Sequence, residues 1–130
     1  MRSWVRGCFL FLYCFVSAAF AQDVPSGQSV ALHDVRVDDM GTEVWVRFRF
    51  LAPAIGRTQA QVTYAQVEAD FVALCETVVR PYLAGQRLRP DGVVISLMDR
   101  PVPFGQADPD ATQFFEAFRI TADMCVWQGL

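Results

Sequence analysis

The sequence predicts an α+β domain: one antiparallel sheet of about five strands, one long helix packed on a face, and a single disulfide. Three observations carry that expectation. Residues 43–51 read as a strand of period two, with Val44, Val46, Phe48 and Phe50 on one side and Trp45, Arg47 and Arg49 on the other. Residues 63–83 carry apolar side chains at helical spacing. Only two cysteines, Cys75 and Cys125, follow the N-terminal leader-like segment, one in that helix and one close to the C-terminus.

The first 21 residues read as a cleaved signal peptide. Arg2 and Arg6 form a positive start, residues 8–16 are apolar but too short to span a bilayer comfortably, and Ala19 and Ala21 put small residues at −3 and −1. Cleavage is expected between Ala21 and Gln22. Cys8 and Cys14 would leave with the leader, and neither is preceded by the small residues a lipid-anchor signal needs. The expected location is the periplasm or the exterior, with no membrane span after cleavage.

The remaining residues, 22–130, suit one domain. Removing two arginines from eleven basic residues leaves nine against fourteen acids, a formal charge of −5. There is no lysine. An acidic, lysine-free chain is a poor partner for nucleic acid or anionic lipid. The apolar content of 53% excludes intrinsic disorder.

In chain order, a Pro-Ser-Gly turn at 25–27 precedes a strand at 30–37, and residues 39–42 form the turn of a hairpin. In strand 43–51, Val44, Val46, Phe48 and Phe50 face one way and Trp45, Arg47 and Arg49 the other. A self-consistent register sets Val35 opposite Val46, Asp34 opposite Arg47 and Arg36 opposite Trp45. His33 would then reach the inner face near Phe48 unless a bulge intervenes. Residues 52–61 connect to the helix, with Pro53 and Gly56 breaking any regular pattern.

Thr63 and Gln66 have the form of a capping box at the helix start. Val67, Phe71, Leu74 and Val78 share its inner face, with Asp70 assigned to the outer one, and Glu76 and Arg80 pair one turn apart. Pro81 predicts an end or kink at Arg80, and Gly85 is the final stop. A turn at 88–92 leads to a short apolar strand at 93–98, buried on both faces. Residues 101–105 are loop. Asp108 and Pro109 resemble a helix start of one or two turns. Residues 114–120 are read as a strand, turning at 121–123 into a last strand at 124–128 that carries Cys125 and Trp127.

Export decides how the cysteines are read. Two cysteines in an oxidising compartment most simply pair, and the rivals are a free reactive thiol or a two-thiol metal site. Metal is weakly supported, because His33 is the one histidine and no Cys-x-x-Cys spacing occurs.

Few residues suggest catalysis. His33 and Asp34 are strand neighbours and point to opposite faces, so they make no dyad. No serine sits in a Gly-x-Ser-x-Gly elbow, and no glycine-rich phosphate loop occurs. No metal and no cofactor is expected. Asp99 and Arg100 end the central strand, where an arginine can clamp a carboxylate or phosphate. Trp45, Arg47 and Arg49 form the other candidate binding surface, since Trp and Arg are the residue types that anchor interfaces.

Three stretches, 46–55, 94–101 and 111–120 with Cys125, Val126 and Trp127, resemble a family of small exported bacterial proteins of unknown function. The resemblance covers most of the chain after the leader. It implies export and a disulfide, and it brings no catalytic residues. Some similar sequences carry an acetolactate synthase label. The chain argues against that activity, being far too short for a thiamine-diphosphate enzyme and lacking a diphosphate-binding motif. The expected function is non-enzymatic binding of an envelope protein or other periplasmic component. The alternative is a small hydrolase or thiol-redox enzyme using Asp99 and Arg100 or Cys75.

Overall fold

A computed structural model describes residues 21–56 and 62–129. The expected leader, residues 1–21, lies outside them apart from Ala21, as do residues 57–61 of the connection before the helix. The elements are β1 (Ala31–Asp39), β2 (Val44–Leu51), α1 (Tyr64–Leu74), a π-helical turn (Cys75–Val79), α2 (Arg80–Gly85), β3 (Gly92–Met98), β4 (Gln113–Thr121) and β5 (Met124–Trp127).

The five strands form one sheet in the order β1-β2-β3-β4-β5. The sheet is mixed, which corrects the antiparallel expectation. β2 and β3 run parallel, with Phe48 opposite Ile95, while the other three pairs are antiparallel. The cause is the connection between them. It contains the helix, which carries the chain back along the sheet so that β3 starts at the same end as β2.

The alternation of β2 sorts its side chains as the sequence predicts. Val46, Phe48 and Phe50 are fully buried and meet Val93, Ile95 and Leu97 of β3 and Phe118 of β4. Val67, Phe71, Leu74, Cys75, Val79 and Leu83 close this core from the helical side. Phe48 and Phe71 are each worth roughly 3–5 kcal/mol against truncation to alanine.

Helical residues run from 64 to 85 without a stop at Arg80. The π turn is the reason. The Arg80 N–H reaches the Cys75 carbonyl, five residues back. This wider turn precedes Pro81, whose ring and missing N–H an unbroken α-helix accommodates poorly. Pro81 then lies at the start of α2, where a proline is tolerated. At the other end Gln66 Oε1 accepts from the Thr63 N–H at 2.8 Å, as the capping pattern predicts.

The register of the first hairpin is shifted by two residues from the expected one, and its turn moves one residue along the chain. Asp39 stays paired, with Val44, and Met40 N–H donates to the Glu43 carbonyl across the turn. Val37 therefore faces Val46, Arg36 faces Arg47 and Asp34 faces Arg49. A bulge between Leu32 and Asp34 turns His33 outward, so it is exposed and does not approach Phe48.

Asp70 also departs from expectation. It is fully buried on the inner face of α1. Its carboxylate accepts from the Ser26 N–H at 2.8 Å, the Ser26 hydroxyl at 2.5 Å and Gln28 Nε2 at 2.8 Å. The residue thus ties the N-terminal turn to the helix. Asp108 starts a turn and no helix: its carboxylate accepts from the Asp110 N–H and its carbonyl from the Ala111 N–H. Residues 113–121 are strand, and Ala122 and Asp123 both take positive φ in the tight turn to β5.

The cysteines pair. The Cys75–Cys125 disulfide joins the π turn to the edge strand β5, with the two Cα atoms 6.4 Å apart.

Candidate functional site

The helix covers one face of the sheet. The opposite face is floored by the polar side of the alternation: Asp34 and Arg36 on β1, Arg47 and Arg49 on β2, Ser96 on β3 and Phe115 on β4. Residues 99–112 fold back over part of this face. Val102 and Ala111 pack on Met98 and Leu51 in a second, smaller core. The result is a cleft of about 350 Å³, lined by Arg47, Arg49, Ser96, Phe104, Gln113 and Phe115 among others.

Arg49 holds the cleft together. Only 7% of it is exposed. One guanidinium nitrogen donates to Asp34 Oδ2 at 2.7 Å, and the other donates to the Val102 carbonyl and lies 3.7 Å from Met98 Sδ. A buried arginine is tolerated when its donors are satisfied in this way. The Phe104 ring is flanked by two guanidinium carbons, Arg36 at 4.7 Å and Arg49 at 5.6 Å from its centroid. Both distances are within cation–π range, so the roof of the cleft is held by the arginines of its floor.

Arg47 is satisfied less fully. Its Nη2 reaches Asp38 Oδ2 at 3.3 Å, while its Nε is buried with no hydrogen-bond partner. Asp34 Oδ1, beside Arg49, is likewise buried and unpartnered. Native structures leave few such atoms unpaired, because each costs roughly 1–3 kcal/mol. Arg47, 37% exposed, is therefore a charged side chain on the floor of the cleft whose donors are less fully used than those of Arg49.

Trp45 shares this face but serves a different cluster. Its ring lies over Gly92, where an added Cβ would come within 2.6 Å of it. Its indole N–H donates to Glu43 Oε2 at 2.8 Å, and Arg119 reaches Glu43 Oε1 at 2.9 Å while its guanidinium lies 5.4 Å from the Trp45 centroid. Trp45 is thus pinned on the sheet, outside the lining of the cleft.

Asp99 and Arg100 form a local pair, with Arg100 Nη2 3.0 Å from Asp99 Oδ2. Asp99 Oδ1 accepts from the Thr112 N–H at 2.9 Å, and the Asp99 N–H donates to the Thr112 carbonyl. These bonds close the base of the 99–112 loop. Neither residue lines the cleft, so the structure separates this pair from Arg47 and Arg49.

Two carboxylates near this face have lowered pKa values. For Asp99, burial pushes the pKa up, and it is outweighed by the hydrogen bond from Arg100, the Thr112 N–H and the Arg100 charge. For Glu43, the Trp45 and Arg119 hydrogen bonds dominate. A lowered folded pKa contributes stability above the unfolded value, about 3.9 for Asp and 4.3 for Glu, and that contribution is lost as pH falls through the folded value. Denaturation measured from pH 6 to pH 2 should therefore show an acid-side loss below about pH 4 that is shallower in Asp99→Asn and Glu43→Gln variants. An unchanged acid limb in both would show that neither bond matters to the fold.

Sequence reasoning reached Arg47 and Arg49 and missed Phe104, Ser96, Gln113 and Phe115. Phe115 and Gln113 were within reach, since they alternate with the inward Phe114 and Glu116 on β4. The return of Phe104 over the sheet depends on tertiary packing of Val102, for which one apolar residue between two prolines is a faint signal. Among the described residues no group of three or more His, Cys, Asp or Glu side chains is placed to hold a metal ion. None of the described helices is long and apolar enough to cross a membrane.

Residues 12–130 match the profile of the Family of unknown function (DUF6497). The chain belongs to this family. No curated protein and no solved structure matches it. Membership agrees with the resemblance drawn from the sequence and assigns no activity to the cleft.

Proposed function

We propose that this member of the family is an exported, non-enzymatic binding domain of the cell envelope, and that its outer-face cleft receives an acidic group of a protein partner. The observation that carries the reading is Arg47: a cationic side chain 37% exposed, engaged by Asp38 through Nη2, on the floor of a preformed cleft. Its guanidinium suits a carboxylate, which can accept two parallel N–H bonds from it. Phe104 and Phe115 are both 47% exposed and supply apolar walls around the charge. Arg49, already engaged by Asp34 and Val102, positions the floor and roof. Export is supported by the leader-like first 21 residues and by a domain fastened with a disulfide.

The test is capture from envelope extract by the mature domain, residues 22–130, with Arg47→Ala and Trp45→Ala variants. Arg47→Ala should lose at least tenfold of the captured partner, because it removes the charge without disturbing the core. Trp45→Ala, which lies outside the cleft, should lose much less. Retention of every captured species by both variants would remove this face from consideration.

A further inference from the structure

The opposite face of the sheet carries a second concavity. It lies between α1 and the outer end of β4 and β5 and is lined by Glu68, Phe71, Val72, Glu116, Phe118 and Trp127, with a volume of about 280 Å³. Its chemistry is the reverse of the outer cleft: among the described residues it is lined by two carboxylates, four apolar side chains and no cation.

Glu116 is the unusual residue. It occupies an inward position of β4 and is only 5% exposed, in a row with Phe114 and Phe118. Its one hydrogen-bond partner among the described residues is Trp127, whose indole N–H donates to Oε2 at 2.6 Å. Among the described residues no arginine pairs with it. A carboxylate in such a setting ordinarily recruits a positive charge, since an isolated buried charge is costly. Trp127 is held by that bond, yet 59% of it remains exposed, and Val72 across the groove is 50% exposed. A tryptophan face beside a carboxylate is a setting that favours an organic cation. Glu68, one helical turn before Val72, adds a second negative group at the rim.

We infer that this groove is a binding site for a small organic cation, an ammonium carried on a short apolar body. The ammonium lies against Glu116 and the Trp127 ring, and the apolar part against Phe71, Val72 and Phe118. Charge complementarity selects the sign, and the volume suits a small molecule more than a folded partner. The inference is independent of the outer cleft, since the two sites lie on opposite faces of the sheet.

The probe is phenethylammonium, titrated into the mature domain while the Trp127 indole N–H resonance is followed by NMR, with phenethyl alcohol as the neutral analogue. The cation should bind saturably, shift that resonance and bind at least tenfold more tightly than the alcohol. Glu116→Gln, which keeps an acceptor for the indole, should weaken the cation at least tenfold and leave the alcohol unchanged. Val72→Lys, on the exposed side of α1, places a cation at the mouth and should abolish probe binding in a folded protein, which keeps the test decisive if Glu116→Gln fails to fold. Equal binding of cation and alcohol, or undiminished binding to Val72→Lys, would overturn the inference. Tighter binding of a lysine-containing peptide than of the free amine would overturn the assignment to a small molecule.

Discussion

Removing the disulfide by Cys75→Ala and Cys125→Ala together should cost about 4 kcal/mol of stability. The cross-link spans 50 residues of sequence, and the chain-entropy model gives about that figure for a loop of such length. For a domain of this size the midpoint of thermal unfolding should fall by roughly 15 °C. The loss has a local component. β5 is an edge strand of four residues, with Met124, Val126 and Trp127 all exposed, and among the described strands it is paired only with β4. Without the bond to Cys75, its amides should exchange with solvent before those of β3. Denaturant titration of the double variant measures the global term, and amide exchange measures the local one. A loss below 1 kcal/mol would show that the bond restrains little of the unfolded chain.

Asp70→Ala should cost at least 3 kcal/mol. The substitution strands three donors, the Ser26 N–H, the Ser26 hydroxyl and Gln28 Nε2, around a position with no exposed surface. Hydrogen bonds to a charged acceptor contribute about 1.5–3 kcal/mol each, and buried donors left unpaired add their desolvation cost. The three bonds share one anchor, so their contributions do not simply add. Asp70→Asn should fall between alanine and wild type, because its amide nitrogen faces donors. The turn at residues 24–27 should become sensitive to proteolysis in the alanine variant, while the sheet keeps its register. Denaturation of both variants, with proteolysis of the folded protein, checks this. An alanine variant within 1 kcal/mol of wild type would contradict it.

Asp70 also shows what in the sequence was readable. It lies three residues after Val67 and four before Leu74, so spacing places it on the buried face. Its polarity suggested the solvent side. Spacing is the stronger signal, because the helix geometry holds whatever the residue, and the burial is offset by partners 42 and 44 residues away that no local pattern reveals. The parallel pairing of β2 and β3 was similarly within reach. A strand, a helix and a second strand in succession permit a crossover unit, but an apolar run such as Gly92–Met98 looks the same in either direction. The alternation of β2 and the aromatic-rich stretch of β4 were legible because period-two patterns and β-forming residues act locally. The two-residue difference in the first hairpin came from Asp39, read as turn and found paired with Val44. The π turn before Pro81 has no comparable sequence signature.

The candidate site divides along the same line. Arg47 and Arg49 were visible as the polar side of an alternating strand. Their difference was not: Arg49 is consumed by Asp34 and Val102, whereas Arg47 keeps an unpartnered donor. That distinction arises where the 99–112 loop lands on the sheet, and Asp99 is the residue that anchors the loop's base through Thr112.

The central claim is that the cleft under this loop is where the domain meets its partner. A photo-crosslinking residue at position 104 tests it most directly, since Phe104 is 47% exposed and forms the roof. On irradiation in intact cells it should form one discrete adduct with an envelope protein, lost when Arg47→Ala is introduced, while the same residue at exposed position 87 beyond α2 forms none. An absence of adducts at 104, or an adduct indifferent to Arg47, would contradict the account.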